Sequence, residues 1–329
     1  MGDAILSTPV FRSIRAHFTD AWIALVLDEP SVELFARDPA VNEIIEIRRS
    51  PMSILKMFMR IGGRFAIAID LISTPFSLLI SIVSGAKIRI GWAKPGRKRA
   101  RFYTNPVDIS QSISAIDANL RALYPLCIEA VDREVRVVLS LEERRRARDR
   151  WWDKLSLDIN RLTIAVHPGS LFETKQWPAE RFAKLAKELQ GKGFQVVITG
   201  SREEKGTVSK VLDSAACDLR LLPPLPIREF GCFLSNVDIL ICNDCGVLHL
   251  AQAVGTKTVA IFGSTDPLIW FPYKSHRQGA YLYTGVQCSP CGKKVCDSLK
   301  CLKNIAVEDV IAKAMEVAQG IERCAGCFT

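Results

Sequence analysis

The sequence predicts an α/β chain of two Rossmann-like domains facing across a cleft, and three observations carry that prediction. Short apolar runs alternate with helical patterns along nearly all of its 329 residues, which is βαβ alternation. At 48% hydrophobic and 24% charged residues the chain can bury a large core, and its length favours two domains over one. Two apolar runs in the last third end in loops rich in Gly, Asp and Ser, as strands do at the ligand-binding edge of an open parallel sheet.

Met1, Gly2 and Asp3 lead into a helical pattern that runs to Phe18. Strand-like runs follow at residues 23–27, 44–47, 65–71 and 87–91, and residues 135–139 close a first domain over residues 1–155. The stretch 65–83 is long enough to cross a bilayer but contains Asp70 and Pro75. It reads better as a strand over 65–71, a turn at Ser73, Thr74 and Pro75, and a buried helix over 76–83. The first residues lack a basic n-region followed by an apolar h-region, so a cytoplasmic, reducing location is expected.

Between Ala86 and Arg101 lie Lys87, Arg89, Lys94, Arg97, Lys98, Arg99 and Arg101 with no acid among them. In a chain of net charge +9 this basic segment predicts an anionic partner: nucleic acid, a membrane surface, or a phosphorylated or carboxylated acceptor. Against nucleic acid, the segment has only Trp92 and Phe102 for stacking and no reader motif. Over residues 141–155, Glu142 and Glu143 precede Arg144, Arg145, Arg146, Arg148 and Arg150, the polarity of a solvated helix near the interdomain linker.

The second domain, residues 156–329, opens on a strand that runs into His167, Pro168, Gly169 and Ser170. Lys175, Gln176, Trp177 and Pro178 start the next helix. A strand over residues 194–199 ends in Gly200, Ser201, Arg202, Glu203 and Glu204. A buried strand over 239–242 breaks at Asn243, Asp244, Cys245 and Gly246 into an apolar helix over 247–254, and a parallel neighbour over 258–262 ends in Gly263, Ser264, Thr265, Asp266 and Pro267. Asp244, the Gly246 backbone and His249 gather at a helix N-terminus, whose free N–H groups and positive dipole end suit a phosphate or diphosphate. An amphipathic helix over residues 307–319 ends the domain.

Of eleven cysteines, Cys288, Cys291, Cys296 and Cys301 crowd one loop, residues 288–301, and Cys324 and Cys327 lie near the end. Disulfides are not expected in a reducing compartment. Four thiolates at this spacing can converge on a structural zinc; the competing reading is a reduced, metal-free surface loop.

HPGS with KQWP eight residues on, then GSREE, NDCGVLHLAQAVGT and FGSTDP, together with the opening MGDAILSTP, resemble the ADP-heptose:lipopolysaccharide heptosyltransferases of glycosyltransferase family 9 over nearly the whole chain. The resemblance implies a GT-B fold, with an acceptor-binding N-terminal domain and a nucleotide-sugar-binding C-terminal domain. It implies inverting transfer of heptose from ADP-heptose to the anionic inner core of lipopolysaccharide, with no cofactor required for catalysis, by a protein peripheral at the cytoplasmic face of the inner membrane. No Asp-x-Asp occurs in the sequence, which agrees independently.

The resemblance places the base on Asp3 and the cation that meets the leaving diphosphate on Lys175, a residue expected to have little packing to lose on truncation. Ser170 and the backbone at Cys245 and Gly246 would bind phosphate oxygens. Glu203 or Glu204 would accept from the ribose hydroxyls, Asp244 would contact the donor sugar, and His249 would touch the diphosphate or only brace its loop. The basic segment, with Arg97 and Arg99, would meet the acceptor.

The sequence departs from the family at Cys245, where Thr or Ser is usual. Family members also begin with roughly ten residues of apolar strand before the Gly-Asp motif, in the middle of a doubly wound sheet. Here Met1 directly precedes Gly2, so the first strand of the N-terminal domain is expected to be missing, the start having been placed at an internal methionine. Two other readings stand beside this one: a GT-B enzyme that uses another nucleotide sugar, as transferase or epimerase, and a non-catalytic, metal-containing nucleic-acid-binding protein.

Overall fold

The computed structural model describes residues 1–48, 50–93, 96, 98–273, 279–319 and 321. The chain divides into two units, Met1–Val138 and Leu139–Thr329. Unit 1 runs α1 (Gly2–Leu6), α2 (Thr8–His17), β1 (Ala24–Asp28), α3 (Ser31–Phe35), β2 (Glu43–Ile47), α4 (Pro51–Ile61), β3 (Ile67–Asp70), α5 (Pro75–Val83), β4 (Ile88–Trp92), β5 (Asn105–Val107) and α6 (Ala115–Leu120). Unit 2 opens with α7 (Leu141–Lys154), β6 (Thr163–His167), α8 (Ala179–Gly191), β7 (Gln195–Ile198), α9 (Lys205–Ala215), β8 (Arg220–Leu221) and α10 (Ile227–Leu234). It continues with β9 (Ile239–Asn243), α11 (Gly246–Val254), β10 (Lys257–Ile261), α12 (Pro267–Trp270), β11 (Gly279–Leu282), α13 (Lys300–Lys303) and α14 (Val307–Gln319).

Unit 2 is one parallel sheet in the order β11-β10-β9-β6-β7-β8. The chain winds outward from β6 on one side, returns, and winds outward from β9 on the other, so the strand order reverses between β6 and β9. Both strands are buried along their whole length, which is why they read as unbroken apolar runs. Ile164, Val166, Ile239, Ile241, Val259 and Ile261 share one core with the inward side chains of α8 and α14.

The boundary expected after residue 155 lies instead before α7. Trp151 and Trp152 on that helix are buried, and the Trp152 ring lies 5.8 Å from Phe233 in α10. Ser140 and Glu143 form a capping box at the α7 N-terminus, and Glu143 also pairs with Arg228 Nε at 2.8 Å, so α7 is only partly solvated.

The parallel strands of unit 1 fall into two sheets, β1-β2 and β3-β4-β5. The strands of unit 1 thus do not form one continuous ladder. Among the described residues no strand pairs with the second edge of β1 or of β3, and most residues of both are only half-buried.

Residues 135–139 make no strand. Val135, Val137 and Leu139 alternate inward as a strand's would, but the segment lies beside helices. The Arg136 N–H donates to the Thr8 hydroxyl at 3.1 Å, and the nearby Val131 N–H donates to the Ser13 hydroxyl at 3.1 Å. A helix offers hydroxyls here but no ladder.

The stretch 65–83 is β3, a turn and α5, as expected, and no helix of the described residues is long and apolar enough to cross a membrane. Thr74 and Ser77 form a capping box with Pro75 at the first helical position. The expectation of a buried helix fails on one side, because Leu79 and Ile82 are exposed.

The interrupted sheet has a measurable consequence. In a parallel strand alternate residues direct their N–H groups to opposite neighbours, so about half the amides of β1 and β3 should exchange with deuterium near unprotected rates. Those of β6 and β9 should be slower by orders of magnitude. Equal protection of all four strands in hydrogen-exchange mass spectrometry would contradict the interruption.

Candidate active site

Three loops of unit 2 meet at the carboxyl ends of β6, β9 and β10. Asn243, the last residue of β9, ties two of the segments together: its Nδ2 donates to the Pro168 carbonyl at 2.8 Å and its Oδ1 accepts from the Trp177 N–H at 3.1 Å. Asp244 follows, with only 3% of its surface exposed. Its Oδ2 meets Lys175 Nζ at 2.7 Å and accepts from the Thr265 hydroxyl at 2.5 Å. Its carbonyl accepts from the Ser170 hydroxyl at 3.1 Å. Lys175, Asp244 and Ser170 are thus brought together, and Thr265, passed over in the sequence, joins them.

The expectation that Lys175 has little to lose is corrected by this geometry. Truncating it would leave a buried carboxylate with one hydroxyl partner, the situation that costs most in a buried ion pair.

Cys245 caps the N-terminus of α11, and Gly246 is its first residue. A hydrogen bond with Cys242, the His167 charge and the Leu248 and Val247 amides outweigh burial and hold the Cys245 thiol down to about 7. Those two amides lie one and two residues beyond the Gly246 backbone expected to receive a phosphate, and the Leu248 N–H also donates to the Cys245 carbonyl at 3.2 Å. His249 is buried in α11, and its Nδ1 shares a 2.7 Å hydrogen bond with the Tyr273 hydroxyl.

A second charged pair stands beside the first. His167 ends β6, 3% exposed, with Nε2 at 3.3 Å from Glu204 Oε2 and Nδ1 at 3.1 Å from the Thr199 hydroxyl. Burial opposes the charge on His167, but the Glu204 carboxylate outweighs it and raises the imidazole above its ordinary value. Burial likewise opposes the Glu204 charge, yet His167 and the Ser201 N–H hold its carboxyl down to about 2. A Cβ at Gly169 would overlap the Glu204 carboxylate, so any side chain here requires that carboxylate to move. Of the two glutamates offered by the sequence, Glu203 is exposed and Glu204 is the one turned to the loops. Adjacent glutamates at a turn look alike in sequence; only the turn's geometry separates them.

The four-cysteine loop does not assemble a zinc site. Among the described residues no group of three or more His, Cys, Asp or Glu side chains is placed to hold a metal ion. Cys288 and Cys291 are exposed, Cys296 lies beside the Ser298 hydroxyl, and Cys301 is buried in α13, where burial pushes its thiol up and opposes the thiolate that zinc requires. The loop instead holds the turn after β10: the Cys291 and Gly292 N–H groups donate to the Ser264 carbonyl at 3.0 and 2.8 Å, and the Ser289 hydroxyl donates to the Gly263 carbonyl at 2.6 Å. Cys324 and Cys327 lie outside the described residues.

In unit 1, Asp3 lies in the first turn of α1 with its side chain exposed, on a helix anchored by buried Ile5 and Leu6. The Asn119 amide donates to the Leu6 carbonyl at 2.9 Å. The basic segment is rooted by Tyr103, whose hydroxyl donates to Asp70 Oδ2 at 2.7 Å; burial pushes that hydroxyl well above its ordinary value. Arg99 is exposed and reaches the Ser73 carbonyl at 3.4 Å, whereas Arg89 is spent on the Phe102 and Ala86 carbonyls. Lys94 and Arg97 lie outside the described residues.

Parallel α/β units, one of them with charged loops gathered where the strand order reverses, match the fold class of the GT-B glycosyltransferases. The sequence profile described as glycosyltransferase family 9 (heptosyltransferase) matches residues 54–302, and the chain belongs to that family. It is 23% identical to lipopolysaccharide heptosyltransferase 3 of Escherichia coli K12, over 94% of this chain and 93% of that one. Among solved structures it resembles a family 9 glycosyltransferase from Veillonella parvula DSM 2008 at TM-score 0.81 and 22% identity, covering 97% of this chain and 94% of that one. It also resembles E. coli ADP-heptose lps heptosyltransferase II at TM-score 0.74 and 20% identity, covering 97% and 96%. Membership of an enzyme family removes the non-catalytic nucleic-acid-binding reading.

The His167–Glu204 pair sets a pH dependence. The raised His167 contributes stability below about pH 6.5 that is lost as pH rises through its folded value. The depressed Glu204 contributes above about pH 4.3 and is lost as pH falls toward 2. The pair should therefore stabilise most between those limits, and His167→Gln should cost more unfolding free energy at pH 5.5 than at pH 9 in urea denaturation. Equal losses at the two pH values would show the imidazole to be neutral throughout.

Proposed function

We propose that this heptosyltransferase-like enzyme moves heptose from ADP-heptose to the anionic inner core of lipopolysaccharide, with inversion and without a catalytic metal. In this reading unit 2 binds the donor and unit 1 the acceptor, and the protein works peripherally at the cytoplasmic face of the inner membrane. The observation that carries it is the Lys175–Asp244 pair at the point where strand order reverses, beside the N-terminus of α11. Such a pair is a preformed receptor: a diphosphate draws the ammonium, and the freed carboxylate accepts hydrogen bonds from sugar hydroxyls.

As the glycosidic bond breaks, charge grows on the leaving diphosphate, and Lys175 with the first amides of α11 stabilises it. The acceptor hydroxyl attacks the anomeric carbon from the opposite side while Asp3 takes its proton, a contribution of typically ~10²–10⁴-fold. Arg97 and Arg99 receive the anionic acceptor. Glu204, with Glu203 as the competing choice, accepts from the ribose, Ser170 holds its loop against the donor, and His249 braces α11.

Purified protein given ADP-heptose and heptose-deficient lipopolysaccharide should release ADP and extend the acceptor. Turnover only with another nucleotide sugar would favour the alternative transferase or epimerase. Lys175→Met should lower kcat by on the order of 10²–10³-fold and also destabilise unit 2, because Asp244 is left buried. The double variant Lys175→Met/Asp244→Asn should regain stability but not activity; recovery of both would reduce the pair to a structural role.

Cys245 adds a pH signature. Its thiol loses a proton near pH 7, and the resulting negative charge repels a diphosphate. ADP binding by the native protein should weaken as pH rises from 6 to 8, while Cys245→Thr should bind ADP more tightly at pH 8 and show little dependence. Parallel calorimetric titrations of the two proteins check this, and parallel pH profiles would exclude the thiol.

A further inference from the structure

Helix α4 presents apolar side chains in two directions. Ile54, Met57, Phe58 and Ile61 face a core cluster with Ile45, as an amphipathic helix should. The opposite side should then be polar, yet Met52, Leu55 and Met59, spaced three and four residues apart, are 61%, 53% and 67% exposed. The neighbouring α5 packs on α4 through Phe58 and Phe76, ring centroids 6.5 Å apart, and repeats the pattern. It carries no charged residue, and Leu79 and Ile82 are exposed, as is Ile72 in the turn before it. Large apolar side chains gathered on adjoining helices mark a surface that something covers.

The charge around these helices says what. Between residues 48 and 107 the sequence holds twelve Lys and Arg against one acid, Asp70; of these, Arg48 pairs with Glu46, and Arg60 and Arg64 pair with Glu43, just outside that span. Asp70 is buried and spent on Tyr103. Lys56 stands exposed within the apolar stripe of α4, and Lys87, Lys98 and Arg101 are exposed beyond α5.

We propose that the outward side of α4 and α5 docks unit 1 on an anionic phospholipid bilayer, the apolar side chains entering the headgroup boundary and the surrounding cations meeting lipid phosphates. A second copy of the chain fits this face poorly, because self-pairing would set one positive surplus against another. Nucleic acid would engage the cations and leave the apolar stripe in water. The inference deepens the reading of unit 1 as the acceptor unit and rests on it for its purpose, since it names the surface that brings the enzyme to a lipid-anchored acceptor.

The test is flotation of the full chain with vesicles of phosphatidylglycerol and phosphatidylethanolamine, and with vesicles of phosphatidylcholine alone. The native protein should partition to the anionic vesicles at least about tenfold better, and less so as salt rises. Leu55→Ser/Met59→Ser/Leu79→Ser changes only exposed side chains, and circular dichroism should show the fold intact. It should weaken partitioning by about tenfold or more while turnover on a lipid-free core oligosaccharide stays at the native level. Three results would each overturn the docking: no partitioning of the native protein, equal partitioning of the triple variant, or a native dimer that the triple variant loses. Vesicle binding without any heptosyl transfer would leave the docking standing and sink the functional reading; transfer without vesicle binding would do the reverse.

Discussion

A charged carboxylate with 3% of its surface exposed persists only if something nearby carries the opposite charge, and unit 2 is arranged to supply it at Asp244. Lys175 arrives from the segment after β6 and Thr265 from the loop after β10, so one carboxylate oxygen gathers three strand ends. The neighbouring Asn243 uses both atoms of its amide to fix the backbone on either side of Lys175. The Ser264 carbonyl, one residue before Thr265, is held in turn by two amides of the cysteine-rich loop. That loop, remote in sequence, is thus part of what places the carboxylate's partners.

The two units use the same alternation to different effect. In unit 2 the central strands are laddered on both sides and covered on both faces, a rigid base from which short loops can hold charges at hydrogen-bonding distance. In unit 1 the strands stop short of a single sheet, and the described part of the basic segment is anchored by a buried contact, Tyr103 to Asp70, over a glycine at position 91 whose Cβ would overlap the tyrosine ring. Precision is concentrated in the unit proposed to bind the donor.

Much of this was legible in the residues. Strands β6, β7, β9 and β10 are read correctly because full burial leaves them as continuous apolar runs bounded by Gly, Asp and Ser. The short strands β5 and β8, three and two residues long, carry too little pattern to be seen. Residues 135–139 mislead because period-two burial records only which side chains face inward, and a helix can supply the inward surface as well as a strand. Cysteine spacing misleads similarly, since it says nothing of where each sulfur points, and Cys301 turns into the core. The candidate site residues of unit 2 are legible as a group through their motifs. Their partners were not, because the pairing of Lys175 with Asp244 and of His167 with Glu204 joins residues from different strand ends.

Gly169 shows how steeply this arrangement can respond to a small change. The space a methyl group would fill there already holds the Glu204 carboxylate, so alanine would have to evict a charge rather than merely crowd a neighbour. With the carboxylate displaced, burial would be opposed at His167 only by the Cys245 charge, so the imidazole would shift toward its neutral form and Cys245 would lose part of the cation that helps keep its thiol acidic. A single added carbon would thereby be translated into a different pattern of protons two loops away.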